Sequence, residues 1–263
     1  MQIADLEQIF SLHPEIDILA KELSRTCNKH FLLRNLFASS QSLFIHSLSL
    51  KLATIQHARP IMIVVDNADD AQYIYADLRT LSSEQGVYFF PTSHRRRQKT
   101  DDAMLVQRTE VLTALLAEHH SLKTSSTEPL PIIVTYPEAL AEPVPMPQAL
   151  QQQTIKICTE QTLLQSLLIQ QLIELRFQRV DFVYEPGQFA VRGGIVDIYS
   201  YAHDYPYRVD FFGDEVDSIR EFELETQLSQ NKVDSVDIVG AQSEEKDSTT
   251  ILVGLPQQTL WIS

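Results

Sequence analysis

From Arg179 onward the apolar residues recur at every second position, and that period restricts the stretch to half-buried antiparallel strands. Arg179-Val180-Asp181-Phe182-Val183, Ile195 to Tyr199 and Tyr207 to Phe212 each alternate in this way, and Phe212-Gly213-Asp214-Glu215 reads as a tight hairpin turn. Arg192 precedes Gly193-Gly194, where the backbone is expected to bulge and re-aim the strand. Alternation also assigns faces. Tyr207, Val209 and Phe211 share one side and form the natural core face, whereas Arg208, Asp210 and Phe212 share the other. A core does not need Phe212 beside a charged pair, and an exposed aromatic near arginine is a common composition of interface anchors. The plainer alternative is that Arg192 and Arg208 neutralise nearby acids such as Asp210, Asp214 and Asp217 and only solubilise the sheet. A further strand is expected at Val233 to Val239, followed by an acidic, Ser/Thr-rich loop from Gln242 to Thr250.

The first half of the chain has a different pattern. Short apolar runs at Phe31-Leu32-Leu33, Ile61 to Val65, Val87 to Phe90 and Ile132 to Val134 read as buried strands, with helices expected near 40–57, 68–84 and 102–119. Strands separated by helices imply βαβ crossovers and a parallel sheet covered on both faces. Asp66, Asn67, Asp69 and Asp70 suit the N-cap and first turn of the helix that follows. The proline-rich stretch Pro129 to Pro147 reads as an extended linker, and Thr159 to Phe177 as a helix capped by Thr159.

A strand, loop and long helix at 31–57 is where an α/β nucleotide-binding domain would carry its phosphate loop. That loop needs glycines, so that backbone N–H groups can wrap the phosphates, and a lysine for the terminal ones. Here it reads Ala38-Ser39-Ser40-Gln41-Ser42, preceded by Leu36-Phe37; every glycine of the chain lies at Gly86 or later, and no lysine occurs between Lys29 and Lys51. Ser39 or Ser40 is expected simply to cap the helix, and ATP hydrolysis is not supported. Val209 to Glu215 imitates an apolar strand ending in the Asp-Glu pair that holds magnesium in ATPases, but the Gly-Asp turn favours the hairpin. His119-His120 lacks metal-ligand spacing, and no Gly-x-Ser-x-Gly elbow or His-Glu-x-x-His motif occurs. No catalytic residue, metal site or cofactor is therefore expected. Cys27 and Cys158 match no redox spacing and read as reduced thiols.

A formal net charge of −14 argues against the chain alone gripping duplex DNA and favours a protein partner with basic patches. Arg95-Arg96-Arg97 with Lys99 is the one dense basic run; a solvated loop is the default reading and an anion or nucleic-acid contact the sharper one. No apolar run reaches the roughly 20 residues of a membrane span. The start lacks the basic n-region of a secretory signal, and the two cysteines, read as reduced core thiols, are consistent with a cytoplasmic protein. The end, Thr259-Leu260-Trp261-Ile262-Ser263, reads as a strand cut short, and a longer protein is expected.

Phe182 to Arg220 contains PGQFAVRGGIVDIY and then PYRVDFFGDEVDSIR. This combination resembles the UvrA-binding domain shared by the excision-repair helicase UvrB and the bacterial transcription-repair coupling factors (the Mfd family). Weaker similarity extends over most of the chain. The degenerate loop at 38–42 favours the N-terminal UvrB-homology region of the coupling factors, with a UvrB-type damage-recognition helicase as the alternative. The resemblance implies a degenerate RecA/P-loop-like parallel-sheet domain at 1–140, an inserted β-rich α+β UvrA-binding domain at 141–230 and a return segment at 231–263. It implies that Arg192, Arg208 and Phe212 contact UvrA, with Glu185, Asp210 and Glu215 as rim contacts. It also implies recruitment of UvrA to stalled RNA polymerase. The motor that uses ATP and magnesium, and the contacts to DNA and polymerase, would lie in domains beyond Ser263. The chain's own C-terminal domain would be a second partner, masking the UvrA surface.

Overall fold

The computed structural model describes residues 3–25, 30–55, 59–83, 86–93, 95–96, 99–100, 102–121, 130–203, 205–240 and 248–263. The chain forms two compact units. One comprises Met1–Pro91, Ala114–Ala141 and Gly254–Ser263; the other comprises Thr92–Thr113 and Glu142–Val253.

The first unit is built on a parallel sheet in the order Leu260–Ile262, Ile61–Val64, Ile132–Thr135, Val87–Phe90. Its central strands are apolar at successive positions and buried on both faces, as a parallel sheet between helices requires. The expected helices at 40–57 and 68–84 span Ser40–Thr54 and Ala68–Leu81 in this unit, whereas the one expected at 102–119 spans Asp102–Ser121 and belongs to it only from Ala114 on. Asn67 caps the second of these by accepting a 2.9 Å hydrogen bond from the Asp70 amide, so the acidic cluster at 66–70 is a helix start. Two amphipathic helices that the sequence reading passed over, Ile3–Ser11 and Pro14–Arg25, precede them. Ile16, Ala20 and Leu23 recur at helical spacing and bury against Phe44, Leu48 and Leu52.

Phe31-Leu32-Leu33 is not a strand, and Leu32 is 77% exposed. The place beside Ile61–Ile63 is taken by Leu260–Ile262, while left-handed φ at Asn35 (65°) and Ala38 (48°) bends the segment away from an extended course. The three residues line an apolar cavity of about 500 Å³ together with Leu36, Phe44 and Trp261.

His46 lies buried on the Ser40–Thr54 helix, with Ser82 Oγ 3.3 Å from Nδ1 and Glu7 3.6 Å from Nε2. Burial pulls its pKa below the ordinary histidine value of 6.5, against the opposing pull of Glu7. The unfolded chain therefore binds this proton at higher pH than the folded one. His46 contributes stability that is complete above pH 6.5 and declines as pH falls from there toward the lower folded value. Thermal melts of His46→Gln should accordingly lose less on acidification through this window than those of the parent; equal losses would remove His46 as the cause.

In the second unit Thr154–Cys158 pairs antiparallel with Ser235–Val239. A six-stranded sheet runs in the order Ser229–Val233, Glu215–Phe222, Tyr207–Phe212, Ile195–Ile198, Gln188–Arg192, Gln178–Arg179. Its inner face carries Phe189, Val196, Ile198, Val209 and Ile219, packed with Leu168 and Leu172 of the Gln165–Glu174 helix. Both units together give the mixed α/β class that the sequence predicts.

Several boundaries differ from the sequence reading. The helix expected from Thr159 starts at Gln165, because 160–163 bond along the sheet instead: Glu160 N–H donates to Val216 O, Val216 N–H to Gln161 O and Leu163 N–H to Asp214 O. Thr159 bonds Asp234 O and caps nothing. The proline-rich stretch, within which the first unit gives way to the second, is not extended throughout. Pro137 and Pro147 open short helices, where a missing N–H costs nothing, and Val144–Pro145 pairs with Ser248–Thr249. The strand expected at 233–239 breaks at Asp234, and its second part pairs with Thr154–Cys158; the return to the first unit, expected from 231, comes at Gly254. Arg179–Val183 continues as a strand only through Arg179, after which Val183 is buried while Phe182 and Tyr184 are exposed.

The loop at 242–247, Cys27 and Arg97 lie outside the described residues, as do the side chains of Arg95, Arg96, Lys99, His119 and His120. Cys158 is a free, half-buried thiol. Among the described residues no helix is long and apolar enough to cross a membrane, and no cluster of His, Cys, Asp and Glu could hold a metal ion.

Candidate functional site

The outer face of the six-stranded sheet gathers the residues that alternation sets aside from the core. Register places Ile195 opposite Arg192 and Asp210, and Asp197 opposite Ala190 and Arg208; Arg208 in turn faces Arg220, and Asp210 faces Ser218. Two hairpins fix this register at one end. Arg192-Gly193-Gly194-Ile195 is a two-residue hairpin loop with φ +60° at Gly193, not a bulge within one strand. The expected hairpin at Phe212-Gly213-Asp214-Glu215 is present, with φ +64° at Gly213, so this acidic pair belongs to a turn. The turns are tied together, since the Phe211 amide donates to Gly194 O at 2.8 Å. The irregularity that re-aims a strand lies between Asp210 and Phe211.

Asp197 is the hub. It is 1% exposed and accepts from two arginines: Arg208 through Nε (2.7 Å) and Nη2 (3.0 Å), and Arg192 through Nη2. The hydrogen bond to Asp197 raises the Arg208 pKa above its ordinary value, outweighing partial burial. Each arginine also anchors a flanking segment. Arg192 donates to Asp181 O at 3.3 Å and lies over the Phe182 ring at 5.2 Å. Arg208 donates to Gln227 O at 3.2 Å and lies over the Phe222 ring at 4.7 Å. Asp210 accepts from Ser218 Oγ (3.0 Å) and Arg220 (2.5 Å), which makes a second ion pair on the same face. Exposure rises along the strand: the side chains of Arg208 and Asp210 are 16% and 19% exposed, whereas Phe212 is 83% exposed.

Arg192 and Arg208 thus meet through one acid, Asp210 joins their face, and Phe212 and Glu215 form the hairpin end. Glu185 sits on a separate turn before Gly187, exposed, with its amide donating to Gln188 Oε1. The arginines do neutralise acids: Asp197 first, with the charge of Asp210 adding at Arg208, rather than Asp214 or Asp217. The sequence reading missed Asp197, Arg220, Phe182 and Phe222. An aspartate between Val196 and Ile198 was itself a signal, because a strand interior disfavours Asp unless it has a partner.

The loop at 38–42 lies in the first unit and bonds to itself. Ser40 Oγ accepts from the Phe37 amide and donates to Phe37 O, the Gln41 amide donates to Ala38 O, and Gln41 Nε2 donates to Leu36 O. Ser39 stands at the N-cap without a side-chain capping bond. The Phe37 and Gln41 amides are thus engaged within the loop, which contains neither glycine nor lysine.

Residues 155–243, all within the second unit, match the family model of the UvrB interaction domain. Over 213 residues (80% of this chain, 17% of the relative) the sequence is 28% identical to a transcription-repair-coupling factor of Bacillus subtilis strain 168. Over 180 residues (66% and 14%) it is 29% identical to a protein of the same description from Mycobacterium bovis. Over 171 residues (63% and 26%) it is 25% identical to UvrABC system protein B of Streptococcus uberis. The chain spans between 14% and 26% of the length of these relatives. The resemblance read from the sequence is borne out, and its most specific part falls on the four inner strands of the six-stranded sheet.

Proposed function

We propose that the chain is a non-catalytic, UvrA-docking module of the coupling-factor kind, serving nucleotide excision repair in the cytoplasm. The observation that carries this reading is the outer sheet face, where two arginines are fixed by a buried acid and a phenylalanine projects from the adjoining hairpin. Arg192, Arg208 and Phe212 are the main contacts; Asp210, Glu215 and Glu185 form the rim. Rigid arginines beside an exposed aromatic lose little conformational freedom on binding, which favours affinity from a small patch. The first unit is a RecA-like domain whose phosphate loop has degenerated. In the longer protein, other domains hold ATP, magnesium, DNA and RNA polymerase. The C-terminal domain of that longer chain covers the face until UvrA is needed.

Purified UvrA titrated against the parent chain and single alanine variants of Arg192, Arg208 and Phe212 tests the docking. Each variant should weaken binding while keeping the native circular dichroism, and unchanged affinity in all three would sink the assignment. The similarity to UvrB proteins supports the alternative of a nucleotide-dependent damage-recognition enzyme. Magnesium-dependent ATP hydrolysis by the pure chain would favour that alternative; no turnover is expected.

A further inference from the structure

Asp197 touches no solvent, so no partner can read it directly. Yet among the described residues it is the one side chain bonded to both arginines of the proposed contact set, and it occupies both nitrogens of one Arg208 edge. Through them it reaches further. Arg192 holds the Asp181 carbonyl and the Phe182 ring, while Arg208 holds the Gln227 carbonyl. The borders of the docking face, 181–184 on one side and 223–228 on the other, are thus tied to the sheet through one carboxylate. The cluster of Arg192, Asp197 and Arg208 carries a net charge of +1, and the guanidinium groups still have N–H donors not used within the cluster.

We propose that Asp197 is a positioning residue for UvrA docking, one that sets Arg192 and Arg208 in the geometry the partner reads. This rests on the docking reading above. An aspartate facing two arginines is the arrangement that fixes guanidinium planes, since each plane can meet a carboxylate edge-on.

The test uses the full chain carrying Asp197→Asn, which keeps the shape and one acceptor but removes the charge. UvrA affinity should fall at least about tenfold in this variant. In an Arg192→Ala/Arg208→Ala background the same change should alter affinity by less than about twofold, because a residue acting through the arginines has nothing left to position. Equal losses in both backgrounds would overturn the proposal, as would no loss in the parent. Exchange of the Arg208 Nε–H, followed by NMR, should be slow in the parent and fast in the variant. If it stays slow, Asp197 does not hold Arg208, whatever UvrA does. If the arginine variants bind UvrA like the parent while Nε–H exchange still accelerates, the docking reading fails and the proposal falls with it, although Asp197 does hold Arg208. Should Asp197→Asn not fold, Asp197→Glu takes its place, since one added methylene keeps the charge and displaces both guanidinium groups.

Discussion

Replacing Asp197 by alanine should lower the unfolding free energy by about 3–5 kcal/mol, the usual cost of removing one partner from a buried ion pair. The denaturant midpoint reads this, with fast exchange of the Ile195–Ile198 amides locating it in the second unit. The cost falls mainly on Arg208. Arg192, with 36% of its side chain exposed, can turn to water, but Arg208 is 16% exposed and would keep a charge with two of its donors unmet. It cannot escape by losing the proton, because a guanidinium stays protonated at any pH a folded protein meets. Removing both partners, as in Asp197→Ala/Arg208→Met, should recover part of the loss, because an apolar pair leaves no orphaned charge. Arg25 with Glu22 is the contrast: both are solvent-accessible on one helix, and Arg25→Ala should cost less than about 1 kcal/mol. A loss below about 1 kcal/mol for Asp197→Ala would mean that the site relaxes or hydrates, and would weaken the positioning role as well.

The two faces of the Tyr207–Phe212 strand were legible in the sequence because the signal is local. Successive strand side chains point to opposite sides, whatever the strand pairs with. The turn at Gly213 was legible for the same reason. What joins Asp197 to Arg208 was not. Their register is set across residues 199–206, and nothing in that connection states which residues end up opposite each other. The apolar run Phe31-Leu32-Leu33 misled because short apolar runs carry no period, and because the place beside Ile61 is filled from the far end of the sequence by Leu260. Helix content at 159–164 was overread in the same way. The backbone there found sheet partners on Asp214 and Val216, which no helical pattern can reveal. The charged pair and the aromatic of the candidate site could be found from alternation, but the acid that organises them needed the tertiary register.

Phe212 and Phe222 should separate binding from stability. Both lie on the outer face by alternation, one in each strand of the same hairpin. Phe222 is fully buried, packed with Val183, Ala190 and Tyr199 beneath the Arg208 guanidinium. Phe222→Ala should therefore cost about 3–5 kcal/mol of stability, the range for emptying a buried phenylalanine site. Phe212 is 83% exposed beside a glycine turn, so Phe212→Ala should leave stability within about 0.5 kcal/mol of the parent. If the docking reading holds, the same change weakens UvrA binding by at least about 2 kcal/mol, roughly thirtyfold, as truncating an aromatic anchor does. A stability loss in Phe212→Ala comparable to that of Phe222→Ala would show that the ring supports the hairpin. Unchanged stability with unchanged affinity would leave the arginines to carry the contact alone. A large exposed aromatic is tolerated on a free surface only at the risk of unwanted association, and capture by a partner is what offsets that risk. Asp214 at the turn and Glu215 after it keep the tip soluble in the meantime, since carboxylates beside an apolar ring disfavour its stacking on a second copy of the same acidic chain.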